Sequence, residues 1–558
     1  MPDSPGIPWS RFRAPVLVTP ARRGPRARGS IALAGLLTTL VFAGACGVGH
    51  GPTSSLTAAG RARSAAAGSA AGSPAAALGR AAGTPDVTDP AGETEDASMI
   101  GNRPTVVYVG DAAWQLQRPS TPDHPTQAYA DAPSYLPGDT LRLAVSTDAP
   151  GYTVAIFRLG ATVTSMGDAS PVQPGVRQGG PLVDPATRMV WAGWRYTYSQ
   201  PIPSTWPSGV YLAKVSGVGG TQGYVPFVIR STRPSRFLVV SNVLDYAAYN
   251  RWGGSSLYWS GVGDPFPGVH AATAVSLDRP FLDESGAGQV FMMEAPFIAW
   301  LEGHGYAVSY TTDYNLSVDP SAQPLPRAVL FSGHGEYWGA PLRDWLDRHV
   351  LAQGDMGLGL FAADTGYWQV MLRNPSATGP RTIGLFKDAR HDPAVAARCP
   401  AGYTGHANAF RSLPCGVGYR PGNRPEQALF GVQYGSVVPG YYDYRLAAGV
   451  PAALLAGTGL APGDTLGRIA GGEVDRVFPG LAGLPGDHLL ASAATVTRAG
   501  AAVAAQAMVR TLPSGGRVVA TGTFWWGWGL EPTFAAGHGV PPGFERLTAN
   551  LLAFLAGA

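Results

Sequence analysis

Residues 328–338, with the sequence AVLFSGHGEYW, decide the fold of this chain. They join an apolar run, typical of a buried strand, directly to a polar and aromatic segment. Strands are predicted at 237–243, 307–310, 328–332, 357–362 and 517–521, and amphipathic helices at about 293–303 and 341–351. Alternation of buried strands with helices predicts an α/β domain with a parallel sheet covered on both faces.

Polar and aromatic segments follow the predicted strands. Ligands of an open parallel sheet bind beyond the carboxyl ends of its strands, where we expect five loops to meet. These loops are residues 245–258, 312–313, 333–338, 363–368 and 523–528. The sequence therefore predicts one polar cleft, with Trp525, Trp526 and Trp528 either walling it or packing in the core.

The His334-Gly335-Glu336 triplet is the strongest candidate for chemistry. Gly335 lets both side chains point into one cleft, where a carboxylate can bind metal while an imidazole handles protons. The alternative is a buried pair that only satisfies loop backbone. Asp364 and Glu473 in the same domain favour the functional interpretation.

Several common hydrolase classes lack their motifs in this sequence. There is no His-Glu-x-x-His, no cysteine cluster and no Gly-x-Ser-x-Gly elbow, so zinc proteases and serine hydrolases of the usual kinds are not expected. A metal would be held by oxygen ligands. Tyrosine phenolates with one carboxylate point to ferric iron, provided that the tyrosines are ligands and not packing residues.

Residues 1–46 are typical of an export signal. Six arginines and one aspartate accompany the uncharged run 31–45, which is short for a bilayer span, and Cys46 ends a segment like a lipoprotein cleavage box. We expect an exported, secreted or cell-surface protein with a lipid anchor at Cys46. A twin-arginine signal at Arg22-Arg23 and an uncleaved anchor helix are alternatives. Removing this leader changes the formal net charge from +3 to about −2, so nucleic-acid binding is not expected.

Two further regions precede the α/β domain, which we place at 234–558. Residues 47–100 are rich in Ala, Gly, Ser and Pro and predict a disordered linker. Residues 101–233 contain short alternating runs at 105–109, 141–145 and 210–215, which predict an immunoglobulin-like β-sandwich. Cys399 and Cys415 favour a structural disulfide over a nucleophilic thiol.

An ordered series of motifs resembles the C-terminal domain of the N,N-dimethylformamidase large (beta) subunit family. The series comprises Ala248-Tyr249-Asn250, Trp252-Gly253-Gly254, Ser256-Leu257-Tyr258, Leu277-Asp278-Arg279-Pro280, Glu294, Trp300-Leu301-Glu302, Gly305-Tyr306, residues 332–338 and Tyr367-Trp368-Gln369. The resemblance covers roughly 210–558. It implies a class I glutamine-amidotransferase-like α/β fold without the nucleophilic cysteine of that class.

The resemblance also implies a mononuclear iron held by two tyrosines and one glutamate. The glutamate corresponds to Glu336, and His334 and Glu473 correspond to residues that handle protons. Tyr249 is the first choice as a tyrosine ligand, with Tyr258 or Tyr211 as the second; for Tyr211 a packing role in the sandwich is the alternative. Asp364 stands where the family tends to have Asn, which adds negative charge beside the site.

These expectations combine into an iron-dependent hydrolase of the carbon–nitrogen bond in a small N-substituted amide. The chain is expected to act on a small-molecule substrate, tethered to the membrane through Cys46, and formation of a homo-oligomer is left open. The rival interpretation is a catalytically inactive, surface-tethered protein that binds a carbohydrate or another small ligand, which would suit the 14 tryptophans.

Overall fold

The computed structural model describes residues 112–121, 125–258, 271–373, 380–387, 409–412, 424–479 and 483–557. The export signal with Cys46, the linker, the predicted strand at 105–109 and the pair Cys399 and Cys415 lie outside these residues. Within the described ranges, no helix is both long enough and apolar enough to cross a bilayer.

The first part of the described chain consists of two β-sheets packed face to face and one small two-stranded sheet. Its strands are β1 (Thr126–Ala130), β2 (Ser134–Tyr135), β3 (Thr140–Thr147), β4 (Gly151–Leu159), β5 (Val163–Ser165), β6 (Gln173–Pro174), β7 (Leu182–Val183), β8 (Val190–Trp191), β9 (Tyr198–Pro201), β10 (Gly209–Gly217) and β11 (Gln222–Ile229). One of the two packed sheets has the order β1-β3-β9, and the other has β2-β11-β10-β4-β5 with β6 also paired to β4; β7 and β8 form the small sheet.

Alternating side chains of these strands form the core between the two sheets. Leu143 of β3 and Val154 of β4 are buried in one cluster with Phe227 of β11. The runs predicted at 141–145 and 210–215 lie within β3 and β10. An immunoglobulin-like connection of the strands stays a prediction.

The second part consists of a mixed sheet with helices. Its strands are β12 (Phe237–Ser241), β13 (Ala274–Ser276), β14 (Val308–Thr312), β15 (Ala328–Gly339), β16 (Gly357–Arg373), β17 (Thr382–Gly384), β18 (Gln433–Leu446), β19 (Thr465–Arg476), β20 (Asp487–Val496), β21 (Ala502–Thr511) and β22 (Arg517–Ala520). Its helices are α1 (Val243–Tyr249), α2 (Val290–Met293), α3 (Ala295–Gly303), α4 (Asp313–Val318), α5 (Ala340–Leu346), α6 (Glu426–Phe430), α7 (Ala452–Leu455), α8 (Pro532–Gly537) and α9 (Gly543–Leu555).

The five strands predicted from sequence lie side by side in the order β14-β12-β15-β16-β22, and all their pairings are parallel. The sheet continues beyond β22 through β21, β20, β18 and β19, which pair antiparallel. The sequence does not predict this extension, because β19 to β21 are rich in Ala and Gly, and Gly435, Pro439 and Gly440 interrupt the Val and Tyr pattern of β18. Many side chains of these strands are also half-exposed. The amidotransferase-like fold family stays a prediction.

The polar segments after the third and fourth predicted strands are not loops. β15 runs on to Gly339 and β16 to Arg373, so the expectation of loops at 333–338 and 363–368 is wrong. The register between the two strands shifts on both sides of Gly335, which lets the strands continue while their side chains turn toward the site. Gly333 is required there, because its φ is +70° and a Cβ atom would lie 2.6 Å from the Met293 carbonyl oxygen.

A partly buried ion pair joins the sandwich to the α/β part. Arg158 of β4 contacts both carboxylate oxygens of Glu302 in α3, at 2.8 and 2.6 Å. The hydroxyl of Tyr310 in β14 donates to the same carboxylate at 2.6 Å. The paired charges therefore lie in the contact between strand β4 and helix α3.

Candidate metal centre and active site

Helix α1 and strand β15 carry most of the candidate site. Helix α1 directly follows β12 and has Asp245 in its first turn and Tyr249 at its last position. The backbone amide of Glu336 in β15 donates to the Asp245 carboxylate at 3.1 Å. This bond holds the strand against the helix, so that Tyr249 and Glu336 meet.

A buried arginine holds the turn that leads from Tyr249 to Tyr258. Arg279 donates to the carbonyl oxygens of Trp252 at 3.0 Å and of Ser255 at 2.8 Å. The chain thereby folds back, and the rings of Tyr249 and Tyr258 stack with centroids 4.5 Å apart. Both phenol groups then face β15.

The two phenol oxygens and one carboxylate form a triangle. Tyr249 donates to Glu336 Oε2 at 2.8 Å, and Tyr258 lies 2.8 and 2.9 Å from the two oxygens of Glu336. The two hydroxyls are 3.0 Å apart. Tyr337 donates to the Tyr258 hydroxyl, and the Lys387 ammonium group lies 3.0 Å from the centre of the Tyr258 ring. Three hard oxygen donors therefore converge beside one positive charge.

His334 is buried beside this triangle. Its Nδ1 lies 3.5 Å from Asp245, and its Nε2 lies 3.2 Å from Glu473 and 3.7 Å from Glu336. Burial by itself lowers the pKa of His334, but the attraction of Asp245, Asp364 and Glu336 outweighs burial and raises it to about 9. The raised pKa favours the protonated imidazole, which can donate a proton.

Asp364 combines burial with an unusual backbone conformation. Its φ is +45°, a left-handed value that few residues other than Gly, Asn and Asp adopt. Its amide donates to Asp475 at 2.9 Å, and its carboxylate lies 4.0 Å from His334 Nε2. Burial raises the pKa of Asp364 well above its usual range, and the negative charges of Glu336 and Glu473 raise it further. Such a local strain is typical of functional sites.

Two overlapping groups of buried side chains could hold a metal ion. One consists of Asp245, His334 and Glu336, and the other of His334, Asp364 and Glu473; in each, the candidate ligand atoms lie within 4.8 Å of one another. Within the described part of the chain, Asp364 Oδ1 and Asp245 Oδ2 have no hydrogen-bond partner. Buried carboxylates in this state are costly unless a cation or a proton compensates them.

Residues 153–539 match the family described as N,N-dimethylformamidase beta subunit-like, C-terminal. The chain belongs to this family. The matched region includes all the site residues named above. Membership in the dimethylformamidase-like family is consistent with an amide hydrolase, and it confirms the resemblance found in the sequence.

Other comparisons add little to the family match. No curated protein matches the chain. A solved structure of a Paenibacillus sp. cycloisomaltooligosaccharide glucanotransferase complexed with cycloisomaltoheptaose is similar over 21% of this chain and 15% of that chain, with 18% identity and a TM-score of 0.12. This chain thus spans a small fraction of that protein, and a TM-score so low gives no information about the fold.

The donor triangle of this dimethylformamidase-like chain fits a hard metal ion. Neighbouring ligands of an octahedral ion with metal–oxygen distances of about 2.0–2.1 Å lie about 3 Å apart. The separations among Tyr249, Tyr258 and Glu336 are 2.8–3.0 Å. All three donors are oxygen atoms, which favours a hard ion over a thiolate-preferring one.

Tyr211, the alternative ligand from the sandwich, lies elsewhere. It is fully buried between Trp206 and Phe227, with stacked rings at 5.6 and 5.4 Å. Its hydroxyl donates to the Pro207 carbonyl at 2.6 Å. Among the described residues it makes no contact with Glu336, so its position corresponds to the packing alternative.

The tryptophans after β22 lie in the core. Trp526 donates to Thr548 at 3.2 Å and Trp528 donates to the Met292 carbonyl at 2.7 Å, while Trp525 packs against Phe524. The residue of this segment that reaches the site is Phe524, whose ring centroid lies 4.7 Å from that of His334. Their positions therefore correspond to packing in the core and not to a wall of the predicted cleft.

Several residues of the site have no role in the sequence-based prediction. Asp245 lies in the predicted polar segment 245–258, and its position just after a predicted strand is a signal that could have identified it. Tyr337 belongs to residues 328–338, but the alternation of polar and apolar residues there does not indicate a role for its hydroxyl group. Lys387 had no signal at all, because only the fold brings it over Tyr258.

Proposed function

We propose that this protein is an iron-dependent hydrolase that cleaves the carbon–nitrogen bond of a small N-substituted amide. The observation that carries the proposal is the triangle of Tyr249, Tyr258 and Glu336 oxygens beside the buried His334–Glu473 contact. An oxygen-rich ligand set next to a proton-handling pair suits hydrolysis better than simple binding.

The proposed ligands are Tyr249, Tyr258 and Glu336. Ferric iron held there would polarise the amide carbonyl and make a water molecule more acidic. The chain itself fixes the ligand positions, since the Glu336 backbone is bonded to Asp245 and Arg279 holds the turn before Tyr258. This preorganisation lowers the cost of rearrangement during the reaction.

Glu473 and His334 divide the proton transfers in this proposal. Glu473 takes a proton from the attacking water, and the imidazolium of His334 gives one to the departing amine nitrogen. One water is consumed, the carbon–nitrogen bond breaks, and a carboxylic acid and an amine are formed. Glu473, whose carboxylate lies 3.2 Å from His334 Nε2, then returns its proton to His334 for the next cycle. Asp245 beside Nδ1 keeps the ring oriented.

Purified protein tests this proposal through metal content, visible absorption and hydrolysis of a panel of N-substituted amides. We expect about one iron per chain and a tyrosinate-to-ferric band that is lost in Tyr249→Phe and Glu336→Gln. Tyr196→Phe, which changes a tyrosine 45% exposed on the sandwich, is the matched control and keeps the band. Iron-free protein with identical spectra in all three variants, and no hydrolysis of any amide, contradicts the enzyme and supports the binding-protein alternative.

We also propose that the chain is exported and held at the membrane by a lipid on Cys46. The support is the sequence of residues 1–46 alone. Metabolic labelling with a fatty-acid analogue is expected to mark the native protein and not Cys46→Ser. Labelling of neither protein, with both recovered in the cytoplasm, contradicts the proposal.

A further inference from the structure

A separate cavity lies where the sandwich meets the α/β part. Strands β1, β10 and β11 form one wall, while β12, α1 and residues 277–281 form the other. Its lining includes Tyr129, Ala130, Phe227, Tyr246, Arg279 and Arg381. Its empty volume is about 520 Å³ when the open mouth is counted, but only a few water-sized groups fit inside. A ligand of this cavity has therefore only a few non-hydrogen atoms.

Arg279 brings an uncompensated charge to this cavity. Arg279 is buried, with 1% of its surface exposed, and it forms no ion pair with any of the described residues. Three carbonyl oxygens accept from its terminal nitrogens, but Nε has no hydrogen-bond partner in the same part of the chain. Burial lowers the pKa of Arg279 to about 9, with no acidic group to offset the shift. A buried cation without a counter-charge is destabilising, and an anion beside it relieves the cost.

The other charged groups around the cavity do not neutralise Arg279. Arg381, the second guanidinium of the lining, is paired with Asp278, so these two charges cancel. Tyr246 faces the cavity and donates to the carboxyl group of Glu294, whose pKa burial raises to about 7. The lining of the cavity therefore keeps one excess positive charge.

We propose that this cavity binds a small monovalent anion, a monocarboxylate the size of formate or acetate, with Arg279 as its charge partner. The excess charge requires one negative charge, and the small space excludes larger anions. Apolar lining from Ala130 and Phe227 suits the hydrocarbon side of a carboxylate. The site goes beyond the proposed amide hydrolysis and does not depend on iron.

Thermal unfolding and isothermal titration of the full chain with sodium acetate test the proposal. Acetamide, an uncharged molecule of similar shape, and sodium chloride serve as comparison ligands at constant ionic strength. We expect acetate to bind in the millimolar range, as four non-hydrogen atoms allow. At ten times its dissociation constant, acetate should raise the folding equilibrium constant about tenfold, and acetamide should not.

Substitutions inside and outside the cavity show where acetate binds. Ala132→Leu adds bulk to the lining of the cavity at a residue that makes none of the hydrogen bonds of Arg279, and it should abolish the acetate effect. Ala453→Leu, at an exposed position of α7, should keep the effect. Glu336→Gln should also keep it, which separates this cavity from the metal centre; Arg279→Gln, where it folds, should lose it.

Three results would overturn the proposal. They are equal stabilisation by acetate and acetamide, an unchanged acetate effect in Ala132→Leu, and loss of the effect in Glu336→Gln alone. If chloride stabilises the native protein and not Ala132→Leu, the anion site stands and chloride becomes its alternative occupant.

Discussion

The hydroxyl of Tyr258 lies 2.8 and 2.9 Å from the two carboxylate oxygens of Glu336. Tyr249 donates to the same carboxylate at 2.8 Å, so two phenol groups contact one carboxylate. In a protein without metal, the tyrosine protons make these contacts as hydrogen bonds. An ion that replaces the protons would find its three oxygen ligands already close together.

Tyr258→Phe and Tyr211→Phe distinguish the two candidates for the second tyrosine ligand. Tyr258→Phe removes an oxygen of the triangle and should lower iron affinity at least tenfold. Tyr211→Phe removes a buried hydrogen bond to Pro207, so it should keep iron and lose about 1 kcal/mol of stability. Iron titration and urea unfolding of both variants measure these effects. Loss of iron from Tyr211→Phe with full occupancy in Tyr258→Phe would reverse the assignment.

Glu473→Gln and His334→Gln should slow amide hydrolysis about 10²- to 10⁴-fold, because each removes one of the proposed proton-transfer groups. Iron content should stay within a factor of two of the native value, since neither residue belongs to the triangle. Steady-state rates at matched iron occupancy give the measurement. Normal rates in both variants would mean that Glu473 and His334 do not carry out the proton transfers.

Asp364→Asn should lower the pKa of His334 below about 9. Asp364 is one of the groups whose attraction raises that pKa, and asparagine keeps its shape while removing its charge. Asparagine also tolerates the left-handed conformation, with φ at +45°, so the fold should survive. Histidine NMR of the metal-free protein, assigned with His334→Gln, measures the shift. An unchanged pKa would mean that Asp364 is already neutral in the native protein.

Glu294→Gln should change how stability depends on pH. Burial raises the pKa of Glu294 from its ordinary 4.5 to about 7, so the folded state binds the proton more tightly than the unfolded state. Native stability relative to the variant should therefore fall as pH rises from about 4.5 to 7, by up to about 3 kcal/mol, and then stay constant. Urea unfolding between pH 5 and 8 measures this loss. Glu545→Gln, on the exposed face of α9, should leave the native profile intact; identical profiles for all three proteins would be the contrary result.

The sequence predicted the parallel half of the sheet and its most important polar stretch. Long apolar runs such as that in β15 are strong signals, and the resemblance to the dimethylformamidase family singled out Tyr249, Tyr258 and Glu336. The antiparallel strands β19 to β21 gave weak signals, because Ala and Gly bury little surface and show no clear alternation. In β18, Gly435, Pro439 and Gly440 interrupt the alternation of its Val and Tyr side chains. Lys387 and the packing of Tyr211 depend on contacts between distant segments, which periodicity does not encode.

Strands β15 and β16 continue through the site, and their pairing limits local opening of its backbone. His334 and Tyr337 belong to the same backbone ladder as Ala328, which lies deep in the sheet. Access of solvent to the amide groups around them requires opening of that ladder, which is normally a near-global event. Hydrogen–deuterium exchange in residues 333–338 should thus be as slow as in the centre of the domain, and the backbone of the site should be rigid.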